Sequence, residues 1–473
     1  MSLYQILLFS ILLIAFRVIA GDKQNKWFIF IISFLALFWF QPATSIRNLY
    51  YWFPFIGIGL SIVAWLTITD HEEWLEKENI HTLFFIIIFS ILIGLFKYLS
   101  VDVFYKFSST PKSIWIVIFW ALIILVAILI KNITVHRGIH WILLFFILSI
   151  LIVTKTPALV ILTSQIIRSF NNQAVQLASS SDLQWVGFSY LSFRIIHVLR
   201  DHKLGKINKV NLRDFLNYLL FFPAFLSGPI DRIERFLLDL RNNESNRNAD
   251  ITQGLQRILI GSAKKFIVAD SLALLALTEY SVYLIETPFW TWILVFAYGF
   301  RIYFDFAGYT DIAIGLAKIT GISLPENFRS PYLSSNLIIF WNNWHITLTQ
   351  WFRTYYFNPL NRFIKSQKWN ISENLFILFM QLSTMVLIAL WHGVTFNFII
   401  WGLWHGLGLF INNRWINLVK PYEKSISSNT FFKSFIKIIS IALTFIFVSL
   451  GWVWFALPSI ESSLIVFNKL VGK

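Results

Sequence analysis

The stretch Ile114-Trp115-Ile116-Val117-Ile118-Phe119-Trp120-Ala121-Leu122-Ile123-Ile124-Leu125-Val126-Ala127-Ile128-Leu129-Ile130 carries no charged residue from end to end. A helix crossing the hydrocarbon core needs about 20 apolar residues, with a range near 17–25. This run therefore reads as a membrane span. Runs of the same character recur at 4–20, 27–40, 50–67, 82–96, 139–153, 374–391 and 438–456. Several sit at or below the lower limit, and neighbouring Trp, Tyr and polar residues must complete them. Of the 473 residues, 57% are hydrophobic and 13% charged, against about 25% charged in soluble domains. The expected fold class is an all-α polytopic membrane protein with about 11 or 12 membrane-embedded segments, some of them broken or re-entrant.

The first run has no basic residue before it and is followed at once by further apolar segments, so it reads as a retained helix rather than a secretory signal. Arg17, Lys23 and Lys26 at its far end predict a cytoplasmic position for that end; Asp22 counts little. Cys is absent, which excludes a cysteine nucleophile and thiolate metal sites. The formal charge of +15 is spread thinly over short loops, so no nucleic-acid partner is expected. The densest basic stretch, 200–217, reads as a cytoplasmic loop facing anionic lipid headgroups. The loop 69–79 is acidic and helical in tendency.

Three parts are expected: scaffold helices over 1–155, a chemical core over 156–415, and a C-terminal helix and tail over 416–473. Within the core, polar, Gly and Pro residues interrupt the apolar segments, as they do where backbone lines a cavity. Two prolines in Phe222-Pro223-Ala224-Phe225-Leu226-Ser227-Gly228-Pro229-Ile230-Asp231-Arg232 predict a broken or re-entrant helix. Asp305 and Asp311 lie 1.7 helical turns apart, so they do not share one face; a pairing of one with Arg301 or Arg329 is expected. Glu326 is expected to cap a helix or to pair with Arg329.

Two histidines stand in aromatic, mostly uncharged surroundings: His345 in Phe340-Trp341-Asn342-Asn343-Trp344-His345-Ile346-Thr347, and His392 in Leu390-Trp391-His392-Gly393. Histidine exchanges protons near neutrality, and ionisable residues at membrane depth are functional candidates by default. Their spacing matches no zinc signature, and no phosphate loop or Gly-x-Gly-x-x-Gly is present. No metal or bound cofactor is expected. A buried, hydrogen-bonded structural histidine is the competing interpretation of each, and the favoured one for His197 and His405.

Taken together, Asp305-Phe306-Ala307-Gly308-Tyr309-Thr310-Asp311-Ile312-Ala313-Ile314-Gly315-Leu316-Ala317, Leu324-Pro325-Glu326-Asn327-Phe328 and the two histidine segments resemble the membrane-bound O-acyltransferases. Within that family the chain is similar to the bacterial branch of alginate O-acetyltransferases and teichoic-acid D-alanyltransferases. The 222–232 segment leans toward the D-alanyl side; Trp401 to Gly406, with its second Trp-His-Gly, leans toward the acetyl side. The resemblance covers about 185–410 and is loose over 1–155. Where many alginate-type relatives have a Gly-Gly-Asn-Arg-like turn, Tyr356-Phe357-Asn358-Pro359-Leu360-Asn361-Arg362 stands instead, which leaves the acceptor open.

The resemblance implies a ring of tilted helices thinned at its centre, with His392 as catalytic base and His345 as the second essential residue. Transfer of a small acyl group, acetyl first, would run from a cytoplasmic thioester (acetyl-CoA or an acylated carrier protein) to a hydroxyl of an extracytoplasmic glycan or polyol. D-alanyl transfer to teichoic acid is the alternative. His345 or a nearby amide, Asn342 or Asn343, would hold the thioester oxygen or position the acceptor; Asp305 would orient a histidine, and Arg232 would fix a donor phosphate. Tyr309 and Trp391 are further binding candidates. The implied setting is the bacterial cytoplasmic membrane, and the implied partners are a cytoplasmic acyl-carrier protein and a periplasmic or extracellular acyltransferase- or esterase-like protein. A transporter or flippase with a histidine proton relay fits interrupted helices equally well. A haem protein with two histidine ligands is a third possibility.

Overall fold

All eight apolar runs form helices: Leu3–Ala20, Lys26–Phe40, Leu49–Ile68, Lys77–Leu95, Ser113–Asn132, His136–Lys155, Glu373–His392 and Thr430–Ala456. The structure, a computed structural model, describes every residue except 21–25, 96–97, 99–109, 133–135, 208, 242–246 and 423–429. Among the described residues, six helices are long and apolar enough to cross a membrane, and three shorter apolar helices accompany them. Lys23 and Asp22 lie outside the described residues. Arg17, read as a flanking cation, is instead buried and pairs with Asp250 at 3.6 Å, which Lys318 also approaches at 3.1 Å.

The chain divides into two units, Met1–Leu255 with Leu316–Leu324, and Gln256–Gly315 with Pro325–Lys473. In the first unit the acidic 69–79 loop and the basic 200–217 stretch pair with each other. Lys209 meets Glu73 at 2.5 Å, Arg213 pairs with Glu78, and Asn211 Nδ2 donates to Glu78 at 3.0 Å. Part of the basic charge expected to face headgroups is thus engaged within the protein. Spacing alone could not show this, since the two loops are more than a hundred residues apart.

The proline break lies in this unit. Helix Leu212–Leu220 stops, Phe222–Phe225 makes one turn, and Ile233–Arg241 follows. Pro223 has no N–H, so the carbonyl four residues earlier, at Leu219, lacks its helical donor. The buried Arg194 guanidinium supplies one: Nη1 donates to Leu219 O and Nη2 to Ala224 O, each at 2.8 Å. Leaving such a carbonyl buried and unpaired would cost about 1–3 kcal/mol.

In the second unit, the helix Pro288–Ile319 carries Asp305 through Asp311 and crosses the segment around Gly261. A Cβ on Gly261 would lie 2.6 Å from Gly308 O, and one on Gly308 would lie 2.7 Å from Gly261 O. Only glycine at both positions permits that approach. Beyond Gly261 the helix widens into a π-helical turn over Ala263–Ala269. From there Lys264 reaches Asp311 at 2.7 Å and Lys265 pairs with Asp305. Arg257 takes the other oxygen of Asp311 at 2.7 Å and Glu326 at 2.5 Å. The expected pairings with Arg301 and Arg329 are therefore corrected: the cations come from the crossing segment.

Candidate active site

His345 sits at the break between helices Leu337–Asn343 and Ile346–Phe352, outside the six candidate spans. Its backbone is left-handed, φ 42°, an uncommon conformation for a non-glycine residue that costs about 1–3 kcal/mol and collects at functional sites. The segment Leu324-Pro325-Glu326-Asn327-Phe328 holds that conformation in place. Asn327 O accepts from Ile346 N at 2.9 Å, and Asn327 Oδ1 accepts from Thr347 N at 3.3 Å and Thr347 Oγ1 at 2.6 Å. On the other flank, Arg329 N donates to Asn343 O at 3.1 Å.

The His345 ring is buried, and neither nitrogen has a hydrogen-bond partner among the described residues. Burial, and after it the nearby His392, push its pKa below the ordinary histidine range; the ring is neutral. Its aromatic neighbours are Phe306 and Trp391, at centroid distances of 4.7 and 6.4 Å. A buried polar ring left without protein partners requires an explanation, and a reaction partner is one.

His392 ends the Glu373–His392 helix and is half-buried. Trp391, Phe455, Trp401 and Phe398 surround it at centroid distances of 4.6, 5.0, 5.7 and 6.0 Å. Gly393 makes this possible, because a Cβ there would lie 2.8 Å from the Phe398 ring. The following helix, Phe396–Val419, is capped by Thr395, and Asn397 Nδ2 ties its start to Leu457 O, Ser459 O and Ser463 Oγ at 2.8–3.1 Å. The imidazole thus stands in a rigid aromatic frame.

A polar cavity of about 440 Å³ is linked to His345 through two aromatic rings, Phe328 and Phe306. Arg257, Lys264, Arg329, Asp311, Glu326 and Tyr303 are in its wall. Phe328, also in the wall, meets Phe306 edge to face at 5.1 Å, and Phe306 in turn meets His345. Arg329 is exposed and pairs with no carboxylate among the described residues.

Residues 139–450, more than half of the chain, match the family described as MBOAT, membrane-bound O-acyltransferase family. The chain belongs to the membrane-bound O-acyltransferases. It is 32% identical to a teichoic acid D-alanyltransferase of Streptococcus thermophilus over 52% of this chain and 61% of the relative. It is 36% identical to a probable alginate O-acetylase of Pseudomonas syringae over 57% and 48%. A peptidoglycan O-acetyltransferase of Helicobacter pylori is 32% identical over 55% and 48%. The chain thus matches about half to three-fifths of the length of these relatives.

Against this membrane-bound O-acyltransferase frame, the expected site residues divide. His345, His392 and Trp391 share one aromatic cluster. Asn343 lies beside it, with Nδ2 donating to Ser334 Oγ at 3.3 Å. Asn342 is exposed, and its Oδ1 accepts from Arg353 Nη2 at 2.7 Å. Asp305 pairs with Lys265 and is half-exposed, so its partner is a lysine where a histidine was expected. Tyr309 is buried in the Pro288–Ile319 helix. Arg232 is exposed in the first unit, and Arg235 rather than Arg232 pairs with Asp231. His197, held by Tyr218 at 3.0 Å and Asp201 at 3.2 Å, serves a structural pairing. Sequence reasoning missed Asn327, Phe306 and Trp401 as positioning residues, although each lies within a motif it singled out.

Proposed function

We propose that the protein transfers a small acyl group, acetyl in the first instance, from a thioester to a hydroxyl of an extracytoplasmic glycan or polyol, in the bacterial cytoplasmic membrane. The observation that carries this reading is the pair His392 and His345, with the His345 ring nitrogens buried and without hydrogen-bond partners among the described residues, and a polar cavity linked to it through Phe306 and Phe328.

The neutral imidazole of His392 takes the proton from the acceptor hydroxyl as that oxygen attacks the thioester carbonyl carbon. A C–O bond forms, the C–S bond breaks, and the proton passes from His392 to the departing sulfur. A positioned general base contributes roughly 10²–10⁴-fold. His345 donates its one N–H to the oxygen on which charge develops, where preorganised donors count most. The aromatic walls exclude water, which would otherwise compete as nucleophile. Arg329, which pairs with no carboxylate among the described residues, fits the phosphate of a phosphopantetheine-type donor, carried by coenzyme A or by a carrier protein that docks there.

The likeness to a teichoic acid D-alanyltransferase supports a second reading with a D-alanyl group on a carrier protein; the chemistry at His392 is the same. The test is mass spectrometry of the surface polymer from cells with wild-type protein or His392→Ala. Acylation is expected to disappear while polymer export continues. Loss of export with acylation retained would establish a transporter instead.

A further inference from the structure

A second cavity, of about 300 Å³, has Trp341 in its wall. Its buried lining residues are indole or apolar, Trp341, Phe352, Met385 and Ile388, and the half-buried Thr349, Gln381 and Thr384 add polar groups to the wall. Its exposed lining residues are Asn342 and Arg353. The cavity is therefore amphipathic along its depth, mostly apolar inside and cationic at its exposed edge. Arg353 pairs with no carboxylate among the described residues; its Nη2 donates to Asn342 Oδ1 at 2.7 Å. That bond uses one N–H of Arg353, and both side chains are exposed, so further N–H donors remain for a ligand. Arg353 also begins a π-helical turn, Arg353–Phe357, a local widening found often at functional sites.

We infer that this cavity binds an anionic phospholipid, one acyl chain lying against Met385, Ile388 and Phe352 and the phosphate on Arg353. The lining is predominantly apolar, and in a membrane protein the matching occupant of such a surface is hydrocarbon. The lone guanidinium at its exposed edge selects an anionic head, since arginine binds phosphate through paired N–H donors. The site goes beyond the acyl-transfer reading and does not depend on it. Occupancy would brace Trp341, which packs on Trp401 at 5.8 Å, the ring that faces His392 at 5.7 Å.

The test uses the full chain in nanodiscs of phosphatidylglycerol or of phosphatidylcholine, with native mass spectrometry for retained lipid and thermal midpoints for stability. Wild type is expected to retain one phosphatidylglycerol after detergent exchange and to melt higher in phosphatidylglycerol. Arg353→Gln should weaken that retention roughly tenfold, the size expected on losing a charge-assisted hydrogen bond. Leu409→Trp, which fills the cavity from a half-buried position, should abolish it while the protein still elutes as a folded species. Equal midpoints in the two lipids, or an undiminished phosphatidylglycerol preference in Arg353→Gln, would overturn the inference. So would an equal rise from inorganic phosphate alone, since the chain would then play no part. Because the readouts are retained lipid and melting, failure here leaves the His392 reading intact, and the reverse holds.

Discussion

Asn327 and Thr347 are joined by two hydrogen bonds, the Asn327 carboxamide oxygen accepting both the backbone N–H and the hydroxyl of Thr347, at 3.3 and 2.6 Å. His345 is two residues from Thr347 and in a left-handed conformation. The bonds therefore hold a strained turn that presents the imidazole. If His345 holds the developing oxyanion as proposed, Asn327→Ala should lower kcat more than it raises KM, because it displaces a group acting on the transition state rather than one binding substrate. The stability loss should be about 1–3 kcal/mol, the cost of buried donors left unpaired. Thr347→Val should reproduce part of the effect, and the double variant should cost clearly less than the sum of the two. Full additivity would show that the pair is not a unit.

The membrane spans were legible because bilayer thickness imposes a length and an apolar character that survive in any sequence: each of the eight runs is a helix. The break at 222–232 was legible because proline cannot donate to a helix. What could not be read was where the polar groups meet. Asp311 finds Arg257 and Lys264 from a segment some fifty residues earlier, and no periodicity records that crossing. The paired glycines that permit it, Gly261 and Gly308, each look unremarkable alone. The same limit applies to the histidines. The motifs marked both, but the rings that frame them, Phe306 and Trp401, take their meaning from tertiary contact.

Gly261 and Gly308 make a second prediction. A methyl group on either would stand 2.6–2.7 Å from a backbone oxygen of the other, and backbone has no flexible end that can swing aside. Gly308→Ala and Gly261→Ala should each destabilise by about 1–3 kcal/mol, the usual range for overpacking. Thermal midpoints in detergent check this. Unchanged midpoints would mean that the crossing adjusts without cost.

Asp311 and Asp305 carry the same charge on one helix but should respond differently to neutralisation. Asp311 is buried and has two cationic partners, Arg257 and Lys264, whereas Asp305 is half-exposed with Lys265. Asp311→Asn removes the carboxylate that Lys264 pairs with and leaves Arg257 with Glu326 alone. Because both cations are about a third exposed, the loss should fall below the roughly 3–5 kcal/mol of a fully buried broken pair. Asp305→Asn disrupts an exposed pair, for which about 0–1 kcal/mol is typical. Parallel melting curves of the two variants give the ordering, and a larger loss for Asp305→Asn would contradict it.

The pH dependence of stability should carry a contribution from Asp182 in the first unit. Burial alone would raise its carboxyl pKa. The Ser164 hydroxyl at 2.5 Å overrides this, together with Ser45, Ser179 N–H and Arg168, and holds the group well below the usual carboxylate range. A carboxyl with a depressed folded-state pKa stabilises fully above its unfolded value, about 3.9. That stabilisation is lost as pH falls through the folded value. The contribution should therefore be constant from neutrality down to about pH 5 and decline below about pH 4. Asp182→Asn should be less stable than wild type at pH 7, and the gap should narrow as the pH is lowered below 4, followed by the melting midpoint of each protein across that range. A gap that stays constant to the lowest accessible pH would mean that the carboxylate's charge contributes nothing, and that the network acts through shape and neutral hydrogen bonds alone.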